Sequence, residues 1–358
     1  MKNKRKTPRV VRILRIIMPI IGLSIGAVIA PLDLLPPLLA PLPANIDEQL
    51  EEAVGWGLDG IILYIDRGDR DPEFYAAGYK NKRTGEAADP HALFKIGSIH
   101  KLYLAAAAAQ LAADGRLDLD GTLGEYLPEI SGRIENADRI TVRMMVQHRS
   151  GIPEFIYQPG SNWFTAPTTE DENLALVLDT PADFEPGARY AYSNTNYLLL
   201  GRILDQLLGY RHHQYVYDML SQRLGLESTY FTLEEADPDL VASGYWYKDD
   251  TDLKSRGGSM IASARDVGIF LRALNDGTFL SPPAQEIYRT IYEFEHDGWV
   301  PGYHSKARYL EEMDAVVVQF VSTTGGETWG TAEVIGGKST AISNIVYRRI
   351  LRLMKKGE

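Results

Sequence analysis

The sequence predicts an α+β fold, in which an antiparallel β-sheet built from N- and C-terminal segments is flanked by helices, with a helical region inserted between its strands. Strand-like runs lie near both ends of the body of the chain. Residues 61–65 and 73–78 are short strand-like runs separated by a turn at Arg67-Gly-Asp69, which predicts a hairpin. Residues 315–321 form the most strand-like run and follow the helical region. The sheet therefore has to collect its strands from distant parts of the sequence.

The helical segments are bounded by recognisable start and stop signals. The predicted helices are residues 46–54, 98–113, 141–147, 196–208, 263–275 and 339–355. Asp114-Gly115 and Asp276-Gly277 follow two of them, and glycine after a periodic segment is a common stop signal. The alanine run at residues 105–109 predicts a face that packs closely against its neighbours.

Composition excludes several classes of function. A chain of 358 residues with 45% hydrophobic residues can bury one large core or two modest ones. Its formal net charge of −11 argues against a nucleic-acid partner, because no broad basic surface is available. The absence of cysteine excludes thiol nucleophiles, thiolate metal sites and disulfides. Adjacent His212 and His213 would diverge by about 100° on a helix, so we expect surface residues rather than metal ligands.

The N-terminus has the build of an export segment. Seven lysines and arginines lie within the first 15 residues, and residues 16–32 carry no charge, although this run is at the short limit for spanning a bilayer. Pro31 follows the candidate cleavage residue Ala30 and favours an uncleaved anchor. We therefore predict residues 1–44 as a basic N-terminus, transmembrane signal anchor and Pro-rich spacer, and residues 45–358 as one domain outside the cytoplasm, periplasmic or extracellular. A buried N-terminal core helix is the alternative.

The first chemical motif is Ser-x-x-Lys at a predicted helix start. After an apolar strand end and a turn at Gly97, Ser98 and Lys101 stand three residues apart and share one face of the helix. A serine becomes nucleophilic when a base takes its proton, and a lysine amine of lowered pKa can be that base. Free N–H groups at the helix start could stabilise an oxyanion. The pattern alone occurs by chance, so its weight depends on two further motifs.

The second motif is Tyr192-Ser193-Asn194, at a predicted junction between a loop and a helix. A phenol near a lysine ammonium could lose its proton and act as a base towards Ser98 or towards the water that releases an acyl group. Asn194 could orient the lysine amine or a substrate amide. Core packing with a satisfied hydroxyl is the alternative for this tyrosine.

The third motif is Glu295-His-Asp-Gly-Trp299, just before the late strands. His296 could line the far wall of the cleft, and Gly298 would let substrate backbone approach closely. The N–H of Trp299 could be a second oxyanion donor beside that of Ser98. In isolation the pattern is typical of an ordinary turn, and its order after the other motifs favours a site.

The three motifs in this order resemble the serine β-lactamase-related family, which includes class C β-lactamases, D-alanyl-D-alanine carboxypeptidases, D-aminopeptidases and β-lactamase-fold esterases. The resemblance runs from about residue 59 to residue 320. Further similar segments are residues 117–120, 126–129, 140–148, 150–151, 184–187, 224–229 and 257–263. It implies a β-lactamase/transpeptidase-like fold.

The resemblance also implies roles for the motif residues. Ser98 would be the acylated nucleophile, Lys101 its general base or proton relay, and Tyr192 the second base. Asn194 would contact the substrate and the lysine. His296 would stand where relatives carry Lys or His, placing a substrate carboxylate or holding the charge state of the tyrosine. No metal or organic cofactor is implied.

The chain departs from the family pattern in three places. His100 lies inside Ser-x-x-Lys, where relatives usually have a small polar residue, and we expect it to point away from the cleft. Arg149 replaces the usual threonine, and we expect it on a solvated loop, with a position at the cleft rim as the alternative. The interval from Leu280 to His296 is shorter than in most relatives, so the strand before the third motif could be trimmed or missing. We also expect a solvated helix face, or a membrane contact, at the basic tail formed by Arg348, Arg349, Arg352, Lys355 and Lys356.

We predict a membrane-anchored serine hydrolase that forms an acyl-enzyme on Ser98 and hydrolyses an amide or ester, such as a D-Ala peptide, a β-lactam or a small ester. Its partners would be a small-molecule or peptidoglycan-derived peptide substrate and the membrane, without nucleic acid. One alternative is a non-catalytic, penicillin-recognising sensor or cell-wall-binding module with a degenerate site. Another is a scaffold for membrane association, which predicts that removing residues 1–44 abolishes function.

Overall fold

The computed structural model describes Met18 and residues 34–68, 70–166, 168–326 and 337–357. Its strands are β1 (Gly60–Asp66), β2 (Glu73–Asn81), β3 (Glu86–Ala87), β4 (Phe94–Lys95), β5 (Thr229–Tyr230), β6 (Tyr245–Trp246), β7 (Ile261–Ala262), β8 (His296–Val300), β9 (Tyr303–Leu310), β10 (Ala315–Val321) and β11 (Thr323–Thr324). Its helices are α1 (Leu35–Leu39), α2 (Ile46–Gly55), α3 (His100–Ala113), α4 (Leu123–Tyr126), α5 (Pro128–Ser131), α6 (Val142–Val146), α7 (Glu170–Ala175), α8 (Asn194–Leu208), α9 (His212–Leu224), α10 (Ala264–Asn275), α11 (Pro282–Ile291) and α12 (Gly337–Lys356). Short 3-10 turns lie at Gly97–Ile99, Phe155–Tyr157, Leu233–Glu235 and Glu311–Met313.

The main sheet has six strands in the order β3-β2-β1-β10-β9-β8. The hairpin of β1 and β2 is antiparallel, as predicted. β1 also pairs antiparallel with β10, with Ile61 opposite Val321 and Ile65 opposite Val317. This pairing joins the two ends of the body and confirms the predicted sheet with a helical region inserted between its strands.

The central strands are apolar along their whole length because both faces of the sheet are covered. Every residue of β1 and β10 is buried. Ile62 and Tyr64 belong to the large core with α3 and α10. Leu63 belongs to a second core with α2 and α12. A strand buried on both faces reads as a continuous apolar run rather than as an alternation of apolar and polar residues.

The helix that follows the first motif is buried on all sides. Residues 105–109 have no exposed surface, and α3 packs against α8, α9 and α11. A helix that is apolar around its whole circumference belongs inside a core. The predicted close-packing face is confirmed, and the 3-10 turn that leads into α3 packs against the edge strand β8.

The short interval before the third motif is occupied by helix α11. The helix begins at a proline and is capped by Ser281, whose Oγ accepts a hydrogen bond from the Ala284 N–H. β8 follows almost directly and pairs with β9 as an edge strand. The strand of the third motif is therefore present, and a helix leads into it.

The basic tail is not the uniformly solvated face that was predicted from the sequence. Arg349 is buried on α12, and its guanidinium donates to the carbonyl oxygens of Ala40 and Pro41 at 2.8 and 2.7 Å. It also pairs with Glu52 at 2.8 Å and donates to Gln49 on α2. The arginine is buried because carbonyl and carboxylate oxygens satisfy its donors.

His212 is likewise not the surface residue that was expected. It is 5% exposed, its Nδ1 lies 2.7 Å from Asp205 Oδ1, and its ring packs over Gly201. A β-carbon at Gly201 would come within 2.8 Å of the imidazole. Within the described part of the chain, no group of three or more potential ligands is arranged to hold a metal ion.

Across the described ranges, no helix combines the length and apolar composition that crossing a membrane requires. This finding contradicts the predicted single-pass membrane localisation with the domain outside the cytoplasm, and it corrects that prediction. Apart from Met18, the segment on which the prediction was based, residues 16–32, lies outside the described residues.

Candidate active site

A glycine turn carries the serine of the first motif to the start of α3. Gly97 has φ +54° and begins the 3-10 turn that precedes the helix, so Ser98 stands on a tight corner. The Gly97 N–H donates to Ser259 Oγ at 2.9 Å, and Ser305 Oγ donates to the Ile96 carbonyl at 2.7 Å. The corner is therefore held from two neighbouring segments.

Strand β8 packs directly against this corner. A β-carbon at Gly298 would fall 1.9 Å from the Ile96 carbonyl oxygen and 2.2 Å from Ser305 Oγ. A β-carbon at Gly97 would fall 2.6 Å from the Trp299 nitrogen. The backbone that approaches Gly298 is thus that of the nucleophile turn, whereas substrate backbone was predicted there from the sequence. The contact brings the Trp299 amide next to Ser98.

Two side chains converge on the serine hydroxyl. Tyr192 Oη donates to Ser98 Oγ at 2.7 Å, and Lys101 Nζ lies 3.2 Å from the same oxygen. Lys101 Nζ also donates to Asn194 Oδ1 at 2.7 Å. The residues of the first two motifs therefore meet in space, although 91 positions separate Lys101 from Tyr192 in the chain.

Burial changes the acid–base character of the lysine. Lys101 has no exposed surface, and loss of hydration lowers its pKa to about 7, while the charge of Glu154 acts in the opposite direction. Near neutral pH, a substantial fraction of this side chain is therefore a free amine. A free amine beside Ser98 can accept the hydroxyl proton.

The pKa of Tyr192 is shifted in the opposite direction from that of Lys101. Burial is the main cause that raises the pKa of Tyr192 above its usual range, and the hydrogen bond with Ser98 only partly offsets it. His148 stacks on the Tyr192 ring at 4.4 Å and is kept neutral, because burial lowers its pKa to about 3. In the resting site Tyr192 is thus a neutral phenol that donates to Ser98, rather than the phenolate base considered from the sequence.

His296 lies at the start of β8 near the same cleft. Its Nδ1 contacts the Asp297 carbonyl, and its Nε2 lies 3.1 Å from a carboxylate oxygen of Glu293. Burial, with a smaller contribution from the Lys101 charge, lowers the pKa of His296 to about 4. A neutral ring can donate only one of these two hydrogen bonds. Its lowered pKa disfavours the positive charge that would hold a substrate carboxylate near neutral pH.

Glu154 is a site residue that sequence reasoning missed. It follows the loop after α6, and its Oε2 accepts hydrogen bonds from both the backbone N–H and the side-chain amide of Asn194. The pKa of Glu154 is raised by burial. The only sequence signal is a carboxylate placed directly after Pro153, which does not by itself indicate a partner.

A group of aromatic rings beside the Trp299 backbone was also missed. We call Trp163, Phe164, Trp246 and Trp299 the aromatic cluster. The Trp299 ring lies 6.4 Å from Trp163, 5.9 Å from Phe164 and 6.4 Å from Trp246. Phe164 and Trp246 remain about two-fifths exposed, so the outer side of the cluster is open to solvent. The four rings come from three separate segments, which hid the cluster in the sequence.

The structure gives the positions of His100 and Arg149, the two residues that depart from the family pattern. His100 Nδ1 donates to the Gly97 carbonyl at 2.8 Å, so its ring bonds the nucleophile turn itself. Burial lowers the pKa of His100 well below its usual value. Arg149 is exposed on its loop, as expected.

Comparison with known proteins gives a consistent set of matches. The family model described as Beta-lactamase matches residues 57–290. Penicillin-binding protein 4 of Amycolatopsis lactamdurans is 30% identical over 228 residues, which cover 58% of each chain. N-acetylmuramyl-L-alanine amidase of Bacillus subtilis is 26% identical over 201 residues, covering 52% of this chain and 46% of that protein. The chain thus spans about half the length of the curated relatives it matches.

Solved structures match over most of the chain. D-amino acid amidase from Ochrobactrum anthropi, complexed with D-phenylalanine, has a TM-score of 0.71 at 22% identity and covers 86% of this chain and 98% of that one. A penicillin-binding protein from Bacillus halodurans has a TM-score of 0.70 at 19% identity and covers 85% and 99%. At this level of identity the matches establish the fold, and they agree with the architecture predicted from the sequence.

Proposed function

Since this chain belongs to the Beta-lactamase family, we propose that it is a serine hydrolase that forms an acyl-enzyme on Ser98. The membership confirms the family and the class of enzyme predicted from the sequence. One observation carries the proposal: Lys101 Nζ and Tyr192 Oη converge on Ser98 Oγ at 3.2 and 2.7 Å. A half-buried serine with a neutral amine and a phenol at hydrogen-bond distance is equipped for proton transfer.

In the first step the free amine of Lys101 accepts the proton of Ser98 Oγ as that oxygen attacks the substrate carbonyl. The bond to carbon forms, and negative charge develops on the carbonyl oxygen. The N–H groups of Ser98 and Trp299 supply the two donors for that charge, which is supported by the close approach of β8 to the Gly97 turn.

Collapse of this intermediate breaks the bond to the leaving group. The Lys101 ammonium and the Tyr192 hydroxyl are the proton donors beside it, and a neutral phenol with a raised pKa retains its proton for this use. Water then attacks the acyl-enzyme with the same groups acting in reverse, and Ser98 regains its proton. No cofactor enters the scheme.

The aromatic cluster and His296 favour one class of substrate. Because the Trp299 amide would bind the carbonyl oxygen, its indole and neighbouring rings would contact an apolar or aromatic group next to the scissile bond. A neutral His296 disfavours a substrate carboxylate at that end of the cleft. We therefore rank amides and esters with an apolar acyl group as substrates above β-lactams and above peptides with a free C-terminal carboxylate next to the scissile bond.

The decisive experiment uses the full chain and a fluorophosphonate, followed by intact mass measurement. We expect one adduct on the wild type and none on Ser98→Ala, because only an activated serine reacts. The same protein should cleave a phenylacetyl ester faster than an acetyl ester, and Trp246→Ala should reduce that ratio about tenfold. Tyr217→Ala, at an exposed tyrosine on α9, is the control.

Each part of the proposal can fail separately. An equal adduct on Ser98→Ala, or no adduct and no ester turnover on folded wild type, would refute the acyl-enzyme route. The non-catalytic module considered from the sequence would then be favoured. An unchanged ester ratio in Trp246→Ala would refute only the role of the aromatic cluster.

A further inference from the structure

The carboxylate of Glu154 joins two segments that build the site. Glu154 caps the 3-10 turn at Phe155–Tyr157, where its Oε1 accepts from the Ile156 N–H at 3.1 Å. Its Oε2 accepts the backbone N–H of Asn194, the first residue of α8, and the Nδ2 of the same residue at 3.1 Å. One side chain therefore fixes both the start of α8 and the side chain of Asn194.

This contact decides which way the Asn194 amide points. An amide has a donor end and an acceptor end, and Glu154 can bind only the donor end. With Nδ2 held on the carboxylate, Oδ1 faces Lys101 Nζ at 2.7 Å. Lys101 in turn reaches Ser98 Oγ at 3.2 Å. A continuous series of hydrogen bonds thus runs from Glu154 to the nucleophile.

Glu154 is also the source of negative charge that acts on the buried amine. Its attraction raises the pKa of Lys101, against the larger effect of burial. The other titratable groups around Lys101 are His100, His148, His296, Tyr192 and Tyr197. Burial keeps these histidines and tyrosines neutral near pH 7. Around the lysine the described residues therefore leave Glu154 as the counter-charge.

We propose that Glu154 is a positioning residue that orients Asn194 towards Lys101 and, as a nearby negative charge, favours the ammonium form of the lysine. The proposal rests on the proposed function, in which Lys101 deprotonates Ser98. Glu154 acts through Asn194 and through its charge and does not itself touch the reacting atoms. Its role differs from turn capping alone, which would stabilise the loop without changing the titration of the lysine.

The test measures the rate of fluorophosphonate adduct formation on the full chain from about pH 5 to pH 9, where the free amine appears. In Glu154→Gln we expect the midpoint of the acidic limb to move down by about 0.5–1 pH unit, because a neutral amide no longer favours the ammonium form. The maximal rate should fall several-fold, because glutamine presents its own donor end to one of the three N–H groups. Glu129→Gln makes the same change at an exposed position and should match the wild type.

A second variant separates charge from position. Glu154→Asp keeps the charge but shortens the side chain, so the midpoint should remain near the wild-type value while the maximal rate falls. This variant also carries the test if Glu154→Gln does not fold, as judged by circular dichroism.

The outcomes distinguish the two levels of the argument. An unchanged midpoint in folded Glu154→Gln would overturn the effect of the charge on Lys101, and an unchanged maximal rate in Glu154→Asp would overturn the positioning role. Absence of labelling in the wild type at every pH would instead overturn the proposed function.

Discussion

Lys101 obtains its chemistry from its surroundings rather than from its residue type. In water a lysine holds its proton far above neutral pH and cannot act as a base at pH 7. Here burial lowers its pKa to about 7. The same burial raises the pKa of Tyr192. Burial therefore shifts the two pKa values in opposite directions, so that the amine of Lys101 is the base and the phenol of Tyr192 is the proton donor.

This division of roles predicts the pH behaviour of Tyr192→Phe. We expect acylation to slow by about 100-fold, because one proton donor at Ser98 is lost. The rate should still rise through about pH 7, because that limb belongs to Lys101 as it loses its proton. Adduct formation or ester turnover across the pH range checks both points. If the limb disappears in the variant, the tyrosine rather than the lysine is the titrating base.

For single residues, the sequence predicts contacts between residues that are near each other along the chain. Ser98 and Lys101 share a helical turn, so their geometry follows from spacing alone. Glu154 and Asn194 are 40 positions apart and meet only because the fold brings the loop to the start of α8. No local pattern specifies such a pair. The charge states of His296 and Tyr192 also depend on burial, which spacing does not give.

The element that completes the site is the edge strand β8. It is locked against the nucleophile turn through Gly298, which has no room for a side chain between the Ile96 carbonyl and Ser305. The strand thus places the Trp299 amide by backbone contact rather than by a side chain. A site built in this way depends on the distance between two main chains.

Gly298→Ala should therefore impair both stability and catalysis. We expect a loss of about 1–3 kcal/mol in the free energy of unfolding, because the strand must move away from the turn. Acylation should slow by about 100-fold as the oxyanion donor is displaced by a fraction of an ångström to an ångström. Gly132→Ala is the matched control, since a β-carbon there meets nothing within 4 Å. Urea denaturation and adduct formation measure the two effects, and equal results for both variants would contradict the prediction.

Strands and helices with a strong local sequence pattern were predicted, whereas an element whose local pattern fits more than one structure was not. The β1–β2 hairpin and β10 were recognisable because burial on both faces produces unbroken apolar runs. Helix α11 was missed because it begins with Pro282-Pro283 and occupies an interval in which a strand was considered. The pattern of the family raised that expectation, and the local sequence was consistent with a helix start.

In the whole molecule, the C-terminal helix ties the N-terminal segment to the sheet. Arg349 on α12 reaches the carbonyls of Ala40 and Pro41 and the side chains of Gln49 and Glu52 on α2. Its guanidinium also lies 5.2 Å from the Trp56 ring. A protein that began at residue 45, the predicted domain boundary, would therefore lack two of the hydrogen-bond acceptors of Arg349. We propose that the folded unit includes residues before that boundary.

Replacing this arginine should weaken the fold without altering the site. Arg349→Ala leaves buried acceptors without a donor, so we expect a loss of about 2–4 kcal/mol in the free energy of unfolding. Arg352→Ala, three residues further along α12 and exposed, should change it by less than about 0.5 kcal/mol. Chemical denaturation gives both values, and the labelling rate of the folded protein should be unaffected. Equal stability of the two variants would show that the buried contacts of Arg349 contribute nothing.

The burial of Lys101 also links the reactivity of the protein to its resistance to unfolding. An unfolded chain, in which this lysine has its ordinary pKa, binds one more proton than the folded chain between about pH 7 and pH 10. The contribution of this residue to stability therefore rises with pH across that interval and is least favourable below it. Acidification thus has two effects with one origin, since it removes the base from Ser98 and places an ion in the interior. At low pH the site is therefore inactive, and at the same pH the buried ammonium of Lys101 lowers the free energy of unfolding most.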